Sequence, residues 1–338
     1  MKQTIMLTGA TGFSGGHFLE YFFNHTFEEH KMVALCRSKN KLPQKFNLPL
    51  KIGDLNDEQY LEEVTLEADI ICHTASWAEL NGSVEASIEN FLKPTFNLID
   101  KALKNGVKRF IFLSAVTSNP IEQKRLHTSL SLAKIWAHYG SIEKIENYLK
   151  EKSGQGMEVV IVRAGIFTGE NYGLGLLPIL LPRLKTHLVP YIKKGSTSLP
   201  LLDGKDLAQG LALASTKKLE NSLTIVDIVG KEIPTVKEVF EYLHQTYNYP
   251  LPHFSVPFNI AYLFARSVRF VHKFLPFEPL IVPSIVLLLE ETNATNHKAK
   301  ELLGYEAKIS WQKSIDKQIA QMKTKQTKNM KMNKEKML

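Results

Sequence analysis

The stretch TIMLTGATGFSGG, from Thr4 to Gly16, decides the fold of this chain. It joins a short apolar run to a glycine-rich turn, and the following HFLEYFFNH has apolar side chains at helical spacing. The order strand, turn, helix predicts a βα unit. In such a unit Gly9 suits a tight turn, Gly12 a close approach to a pyrophosphate, and Gly15 close packing of the helix on the strand. Because the start of a helix also offers N–H groups and a positive dipole end to phosphates, the stretch predicts a dinucleotide site.

Five further apolar runs indicate that the βα pattern repeats along the first half of the chain. They are KMVALCR, LPLKIGDL, ADIICHTAS, VKRFIFLSAV and MEVVIVRAG. Helical stretches separate several of these runs, which is typical of a parallel sheet with helices on both faces. We therefore predict an α/β fold with a Rossmann-type doubly wound parallel sheet.

The composition is that of a globular protein with a basic C-terminal end. The 338 residues are 44% apolar, which is enough for a core, and they carry a formal net charge of +8. Much of this charge lies in KTKQTKNMKMNKEKML, so we predict a disordered basic tail over residues 321–338. No zinc-finger or aromatic-rich RNA-binding signature accompanies the charge, and we expect no nucleic-acid partner.

The opening residues and the cysteines favour an intracellular protein. The opening MKQTIMLTGATG runs directly into the predicted first strand, without the features of a secretory signal. Cys36 and Cys72 lie within or at the end of apolar runs, and their spacing fits neither a metal site nor a disulfide framework. We expect both cysteines to be buried, and we expect a cytoplasmic location, with membrane association left open.

Several motifs, taken in order, resemble one enzyme family. They are TGATGFSG, GDL at 53–55, ADIICHTAS, ENFLKPTFNLIDKALKNGVKRFIFLSA from Glu89, and VVIVRAGIFTG from Val159. Together they resemble the extended short-chain dehydrogenase/reductase family, in its NAD-dependent epimerase/dehydratase and 3β-hydroxysteroid dehydrogenase-like branch. The resemblance covers most of residues 1–310. It implies a dinucleotide-binding Rossmann domain over 1–165 and a smaller, mainly helical substrate lobe over 166–320, with segments that return to the first domain.

The end of the predicted second strand favours NADP over NAD. A carboxylate at this place hydrogen-bonds the ribose 2′-OH of NAD, whereas an arginine suits the 2′-phosphate of NADP. The family often has an aspartate here, but this chain has Cys36 followed by Arg37. A guanidinium can form paired charge-assisted hydrogen bonds to a phosphate. We therefore predict NADP as the cofactor, with NAD left open.

The resemblance assigns further cofactor contacts. It implies that Asp54 and Leu55 flank the adenine, and that Ala75 and Ser76 line the pyrophosphate or the nicotinamide ribose. For Asp54 the alternative is a turn residue. The complete predicted set of cofactor-binding residues is Gly9, Thr11, Gly12, Phe13, Gly15, Arg37, Asp54, Leu55, Ala75 and Ser76.

The family's catalytic tyrosine has a counterpart here, but its lysine does not. In the family the tyrosine exchanges a proton with the substrate oxygen, and a lysine one helical turn later favours its phenolate. In AHYGSIEKIENYLKE, Tyr139 fits the tyrosine and Glu143 occupies the lysine position. Lys144 is adjacent, but at about 3.6 residues per turn it lies off the face of Tyr139 unless a rare π-bulge intervenes. Because a carboxylate opposes phenolate formation, we expect oxidation to suffer more than reduction. His138 is a less favoured substitute donor, since neighbouring helix side chains diverge by about 100°.

The family's substrate-binding hydroxyl is also missing. Its usual place falls on Ala115, within LSAVT, and alanine offers no donor to a substrate oxygen. In an extended strand Ser114 points to the opposite face, which leaves Thr117 as the substitute. Asn90 matches an asparagine of the family, and both a helix bend and a proton relay are open roles for it. The predicted catalytic set is Tyr139, Thr117 and Asn90.

The second half of the chain is apolar and interrupted by prolines and basic residues. Its main runs are GLGLLPILLPRLKTHLVPYI and PFNIAYLFARSVRFVHKFLPFEPLIVPSIVLLLEE. Neither has an uninterrupted apolar stretch of the length of a transmembrane helix. They fit the core and lid of a substrate lobe, and a basic amphipathic helix on a membrane surface is the alternative.

Two functions remain open. One is an NAD(P)-dependent oxidoreductase or epimerase that acts on a small or lipophilic alcohol or ketone, or on a sugar derivative. The other is a catalytically weak NADP-binding protein that regulates or supports an assembly. Tyr139 and the large second lobe favour the enzyme, whereas Ala115 and Glu143 favour the weak binder. We expect a small-molecule substrate in the first case and leave a homodimer open.

Overall fold

A seven-stranded sheet lies at the centre of the computed structural model, which describes residues 2–335 except 26, 39–41, 43–47, 81, 119–135, 172–175 and 273–280. The strands are β1 (Gln3–Thr8), β2 (His30–Cys36), β3 (Leu50–Ile52), β4 (Ile70–His73), β5 (Arg109–Ala115), β6 (Glu158–Ala164), β7 (Ile166–Thr168), β8 (Tyr191–Ile192), β9 (Leu201–Asp203), β10 (Leu223–Ile228) and β11 (Ser255–Val256). The central sheet has the order β10-β6-β5-β4-β1-β2-β3, and its strand pairs are parallel. The predicted doubly wound α/β fold is confirmed.

Helices cover both faces of this sheet. They are α1 (Phe13–Asn24), α2 (Glu58–Leu66), α3 (Val84–Ser87), α4 (Lys93–Lys104), α5 (Ala137–Lys152), α6 (Leu176–Leu184), α7 (Gly204–Thr216), α8 (Val236–Tyr247), α9 (Phe258–His272), α10 (Pro283–Leu288), α11 (His297–Leu303) and α12 (Trp311–Glu335). A π-helical turn, Ile88–Leu92, joins α3 to α4.

The apolar strands supply two separate cores, one on each face of the sheet. On β1, Met6 joins a core with α2, α4 and α5, whereas Ile5 and Leu7 join a core with α1, α7 and α11. Successive side chains of a strand point to opposite faces, so a strand buried on both faces must be apolar throughout. This requirement explains why β1 reads as a continuous apolar run rather than an alternating one.

The later part of the chain both returns to the sheet and builds a separate core. Strand β10 lies beside β6, and α7 packs against α1. A third apolar cluster joins α6, α8 and the first turns of α12, while β7 pairs with β9 and β8 with β11. The division into a domain over 1–165 and a lobe over 166–320 stays a prediction.

The C-terminal stretch is more ordered than its composition indicates. The predicted disordered tail begins at residue 321, but α12 continues as a helix to Glu335. Its first turns are anchored by the buried side chains of Ile315 and Ile319. Because an anchored helix has already overcome the unfavourable nucleation step, residues such as Lys, Gln and Met extend it readily. Disorder of the tail over 321–338 stays a prediction. Residues 336–338 lie outside the described part of the chain.

Within the described residues, no helix is long and apolar enough to cross a membrane.

A buried hydrogen-bonded chain ties β1 to β4 at the edge of the sheet where both strands end. The Thr8 hydroxyl lies 2.8 Å from His73 Nδ1, and His73 Nε2 lies 3.1 Å from the hydroxyl of Thr95 on α4. The Thr8 hydroxyl also accepts a hydrogen bond from Ala75 N at 3.2 Å. A neutral imidazole satisfies both of its partners here, and burial lowers the pKa of His73 to about 3.

We expect His73 to make the fold sensitive to acid. The unfolded chain binds a proton at this histidine below about pH 6.5, whereas the folded chain binds it only near its own lowered pKa of about 3. Stability contributed by neutral His73 is therefore present above that range and lost as the pH falls through it. The free energy of unfolding can be measured by urea titration at several pH values between about pH 6 and pH 4. Its decrease per pH unit should be about 1.4 kcal/mol smaller in His73→Gln than in the wild type.

Thr95→Ala is the matched control, because it removes a hydrogen bond of the same chain but no titratable group. Thr95→Ala should lower the free energy of unfolding by a similar amount at every pH, so its dependence on pH should match that of the wild type. Equal slopes in His73→Gln and the wild type would contradict the assignment.

Candidate functional site

A cleft of about 1500 Å³ opens at the carboxyl ends of the central strands. The chain order reverses between β1 and β4, which are neighbours in the sheet although β2 and β3 lie between them in sequence. Open α/β sheets bind ligands at such a switch point. The cleft is lined by the turn after β1, the ends of β2, β4 and β5, the start of α5, and segments from the later part of the chain.

The glycine turn after β1 brings three pieces of backbone into direct contact. A Cβ atom at Gly15 would overlap the carbonyl oxygen of Gly9, and one at Gly9 would lie 2.6 Å from Ala75 N. Gly9 also has a φ of +67°, which L side chains rarely adopt. Only glycine therefore allows α1 to begin directly against the turn while β4 ends beside it.

The start of α1 faces the cleft with its backbone. Gly12 precedes the helix and supplies no side-chain cap, and the exposed Thr11 and the half-buried Phe13 line the cleft beside it. An uncapped first turn leaves N–H groups available to a phosphate. These residues fit a dinucleotide. Gly15, in contrast, is buried beneath the turn and does not line the cleft, so its role is packing.

The end of β2 brings a positive charge to one end of the cleft. Cys36 is buried, whereas Arg37 is exposed and lines the cleft with Asp54 and Leu55. Within the described residues Arg37 has no ion pair. Asp54 Oδ1 accepts hydrogen bonds from the backbone and side chain of Asn56, at 2.9 and 3.1 Å. Asp54 therefore holds a turn and also lines the cleft. Its contact with the adenine stays a prediction.

The residues after β4 line the cleft directly beside the glycine turn. Ala75 is half-buried, Ser76 is exposed, and both line the cleft. The hydrogen bond from Ala75 N to Thr8 fixes this segment to the end of β1. Both residues thus occupy the part of the cleft nearest the start of α1.

Tyr139 lies in the first turn of α5 and its ring packs edge-on against Trp136, with 4.4 Å between ring centroids. Ser87 anchors this turn by donating a hydrogen bond to the carbonyl oxygen of Ala137 at 3.2 Å. Tyr139 lines the cleft, while the half-buried Glu143 and the exposed Lys144 do not. Because α5 is a regular α-helix over Ala137–Lys152, no π-bulge turns Lys144 towards the tyrosine.

His138 also lines the cleft, next to Tyr139. It is buried, and burial lowers its pKa to about 4, so the ring is neutral near pH 7. Its Nδ1 has no hydrogen-bond partner among the described residues. The sequence offers little indication of this burial, because apolar and polar residues are interspersed around His138.

The end of strand β5 reaches the cleft with both Ser114 and Ala115. The Ser114 hydroxyl donates a hydrogen bond of 2.5 Å to Glu146 Oε1 on α5. The same carboxylate accepts two hydrogen bonds from Arg163 on β6, at 3.0 and 2.6 Å. The Ser114 hydroxyl is thus engaged by a buried carboxylate, and Ala115 offers no hydroxyl to the cleft. Thr117 follows in a short 3₁₀ turn, is buried, and also lines the cleft.

Asn90 lies in the π-helical turn at the rim of the cleft. Its side-chain nitrogen donates a hydrogen bond of 2.8 Å to Ala86 O. Pro94 follows four residues later and has no N–H for the carbonyl of Asn90, and Lys93 N instead bonds Ile88 O in the π pattern. These contacts favour the helix-bend role over a proton relay.

Sequence reasoning did not find the wall contributed by the later half of the chain. Four separate stretches, within 176–192, 236–240, 254–264 and 281–289, together line this side of the cleft. Each was visible as an apolar run, but nothing in a single run indicates that the four meet. The third core cluster holds the first two stretches, whereas α9 and α10 pack into the first cluster and β8 pairs with β11.

Comparisons with known proteins agree with this geometry. A sequence profile described as the NAD dependent epimerase/dehydratase family matches residues 5–227. A Synechocystis sp. protein provisionally named dihydroflavonol 4-reductase is 24% identical over 290 residues, which cover 78% of each chain. The crystal structure of gox2253 has a TM-score of 0.74 and 20% identity, and the match covers 96% of this chain and 98% of that one.

A complex of UDP-glucose 4-epimerase with NAD, from Thermus thermophilus, has a TM-score of 0.66 and 18% identity, covering 94% of this chain and 98% of that one. At these identities the solved structures show a shared fold. The profile match, in contrast, extends over more than half of the chain and includes the glycine turn, the switch point and Tyr139. The chain belongs to the NAD dependent epimerase/dehydratase family.

Proposed function

We propose that this protein is an NADP-linked oxidoreductase that reduces a lipophilic ketone to an alcohol. The lining of the cleft carries the proposal. On the side formed by the stretches between residues 176 and 289, the described lining residues are apolar except for Arg183 and Thr186. Leu180, Phe240 and Phe264 are examples of this apolar wall.

Such an apolar wall suits a lipophilic ketone better than a nucleotide sugar. A nucleotide sugar brings a diphosphate, a base and several hydroxyl groups, and each polar group buried without a partner costs about 1–3 kcal/mol. A lipophilic ketone instead gains about 25 cal/mol for each Å² of apolar surface that leaves water. The provisional reductase name of the Synechocystis relative also supports this choice. A sugar derivative is the second candidate, because the Thermus neighbour is named as a UDP-glucose epimerase.

NADP is the cofactor that the end of β2 favours within a family that binds NAD. Cys36 removes the carboxylate that would repel a 2′-phosphate, and the exposed guanidinium of Arg37 faces the same part of the cleft. The glycine turn and the uncapped start of α1 fit the pyrophosphate of either dinucleotide.

Tyr139 is the proton donor of the proposed reaction. The glycine turn and Arg37 would hold the reduced dinucleotide, which would serve as the source of the hydride for the carbonyl carbon. Tyr139 donates its phenolic proton to the carbonyl oxygen, and a proton from water restores the phenol. In the proposed reaction Thr117 hydrogen-bonds the same oxygen in place of the missing hydroxyl at Ala115. Without a lysine one turn after Tyr139, the neutral phenol is favoured over the phenolate, which is why we assign reduction as the preferred direction.

The proposed substrates partition into lipid, so we also expect peripheral contact with membranes. A homodimer stays a prediction.

A substrate screen tests the choice of substrate class. With NADPH present, kcat/KM should rise along a series of ketones of increasing apolar size, because each added buried CH₂ contributes about 0.8 kcal/mol. UDP-glucose should be neither epimerised nor oxidised. Leu180→Asn should reduce the rise of kcat/KM with the apolar size of the ketone. Leu66→Asn, at an exposed site outside the cleft, should leave this rise unchanged. Turnover of UDP-glucose with no activity on ketones would contradict the proposal.

Calorimetry with the two reduced cofactors tests the role of Arg37. The wild type should bind NADPH more tightly than NADH, and Arg37→Ala should weaken NADPH binding by about tenfold or more while leaving NADH binding nearly unchanged. Lys31→Ala, an exposed site at the other end of β2, is the control and should preserve the preference. An unchanged preference in Arg37→Ala would show that another group selects the cofactor.

Replacements at the proton-donor site test the reaction. Tyr139→Phe should lower ketone reduction by about 10²–10⁴-fold without loss of cofactor binding. The pair Ala115→Ser and Glu143→Lys should raise alcohol oxidation and move its optimum to lower pH, because a cation favours the phenolate. Full activity in Tyr139→Phe would show that the tyrosine only packs there. Cofactor binding with no activity on any substrate would instead favour a regulatory or assembly protein.

A further inference from the structure

We propose that the rim of the cleft docks on the surface of an anionic lipid bilayer through an exposed apolar face. We call it the docking face, and its residues are Leu188, Phe254, Ile260, Leu263, Phe264 and Val271. All six side chains are exposed, and four of them lie on α9.

Helix α9 is apolar on two sides. One side buries Phe258, Ala261, Tyr262 and Ala265 against the rest of the fold, including α10. A helix that packs by one face normally presents polar residues on the opposite one. On α9 the opposite side instead exposes Leu263 at 60%, Phe264 at 59% and Ile260 at 57% of their surface. An apolar stripe of this kind parallel to a helix axis is the signature of an interfacial helix.

The docking face continues from α9 onto the mouth of the cleft. Pairing of β8 with β11 brings the segment of Leu188 beside that of Phe254, with Tyr191 N donating to Phe254 O at 2.9 Å. Leu188 and Phe254 are 63% and 51% exposed. Both also line the cleft, as Ile260 and Phe264 do. Contiguous apolar surface is what distinguishes an interaction site from the scattered exposed hydrophobic residues of any protein.

The charge around the docking face matches anionic lipid headgroups. The two segments that build it, residues 183–195 and 248–272, contain six lysine or arginine residues and no aspartate or glutamate. Lys185, Lys194 and Arg266 among them are exposed. Basic residues at the edge of an interfacial helix strengthen its binding to an anionic surface. A second copy of this chain would bring the same basic rim and be repelled, so the charge favours lipid over self-association.

Docking in this orientation gives the cleft a direct route to the bilayer. Its mouth would lie at the lipid surface, and a substrate dissolved in the bilayer would enter the apolar wall without crossing water. This use rests on the proposed lipophilic substrate, whereas the docking itself depends only on the surface.

Vesicle flotation with the full-length protein tests the docking. Wild-type protein should bind vesicles of phosphatidylcholine that contain about one third phosphatidylglycerol, bind pure phosphatidylcholine less, and dissociate as salt rises. The double variant Leu263→Gln and Val271→Gln should weaken binding by at least about tenfold, because two apolar side chains no longer enter the interface. These two side chains do not line the cleft. Leu66→Gln, which is 65% exposed at the end of α2, is the matched control and should bind like the wild type.

The outcomes separate docking from catalysis. Reduction of a short, water-soluble ketone without vesicles should be equal in the wild type and the double variant, so loss of docking leaves the reaction intact. If the wild-type protein does not bind anionic vesicles, the proposal is overturned, whatever the enzymatic activity. Sedimentation velocity tests whether a second copy of the chain covers the docking face instead. A wild-type dimer that becomes a monomer in the double variant, together with no vesicle binding, would assign the docking face to self-association.

Discussion

The close contact between the first turn of α1 and the turn after β1 is the constraint on which the rest of the site depends. Gly15 and Gly9 meet backbone to backbone, and the other side of Gly9 touches the segment after β4. No side chain can intervene at either contact. The direction of α1, the end of β1 and the end of β4 are therefore set together. The hydrogen bonds of Thr8 and His73 hold the ends of β1 and β4 together. A phosphate-binding helix start aimed at the switch point is the result.

Much of this half of the molecule could be predicted because its information is local. Three glycines at fixed offsets, a continuous apolar strand and an arginine after the second strand each encode a nearby geometry. The family resemblance then orders these pieces into one sheet. For Asp54, local sequence left two roles open because an Asx turn and a ligand contact need the same residue.

The features that sequence reasoning missed are those that depend on distant partners. The apolar wall needs four stretches to converge, and the Glu146–Arg163 pair joins α5 to β6 through two residues whose pairing neither segment indicates by itself. The helical continuation of α12 depends on anchors that precede the basic stretch. The π-turn at Asn90 arises from a proline further along the chain. In each case composition described the segment correctly, but the tertiary contact decided its structure.

The buried pair beneath β5 has a consequence for how this family member can change over evolution. Glu146 and Arg163 are almost wholly buried, and removal of one partner from such a pair costs about 3–5 kcal/mol, so Ser114 and its partners are fixed by stability. The methyl side chain of Ala115, one residue later, lines the cleft and can form neither a hydrogen bond nor an ion pair. A small residue at Ala115 can therefore be exchanged without disturbing this buried network, and the chemistry of the cleft can change while Ser114 stays fixed. A missing hydroxyl at this position is in this sense a reversible adaptation.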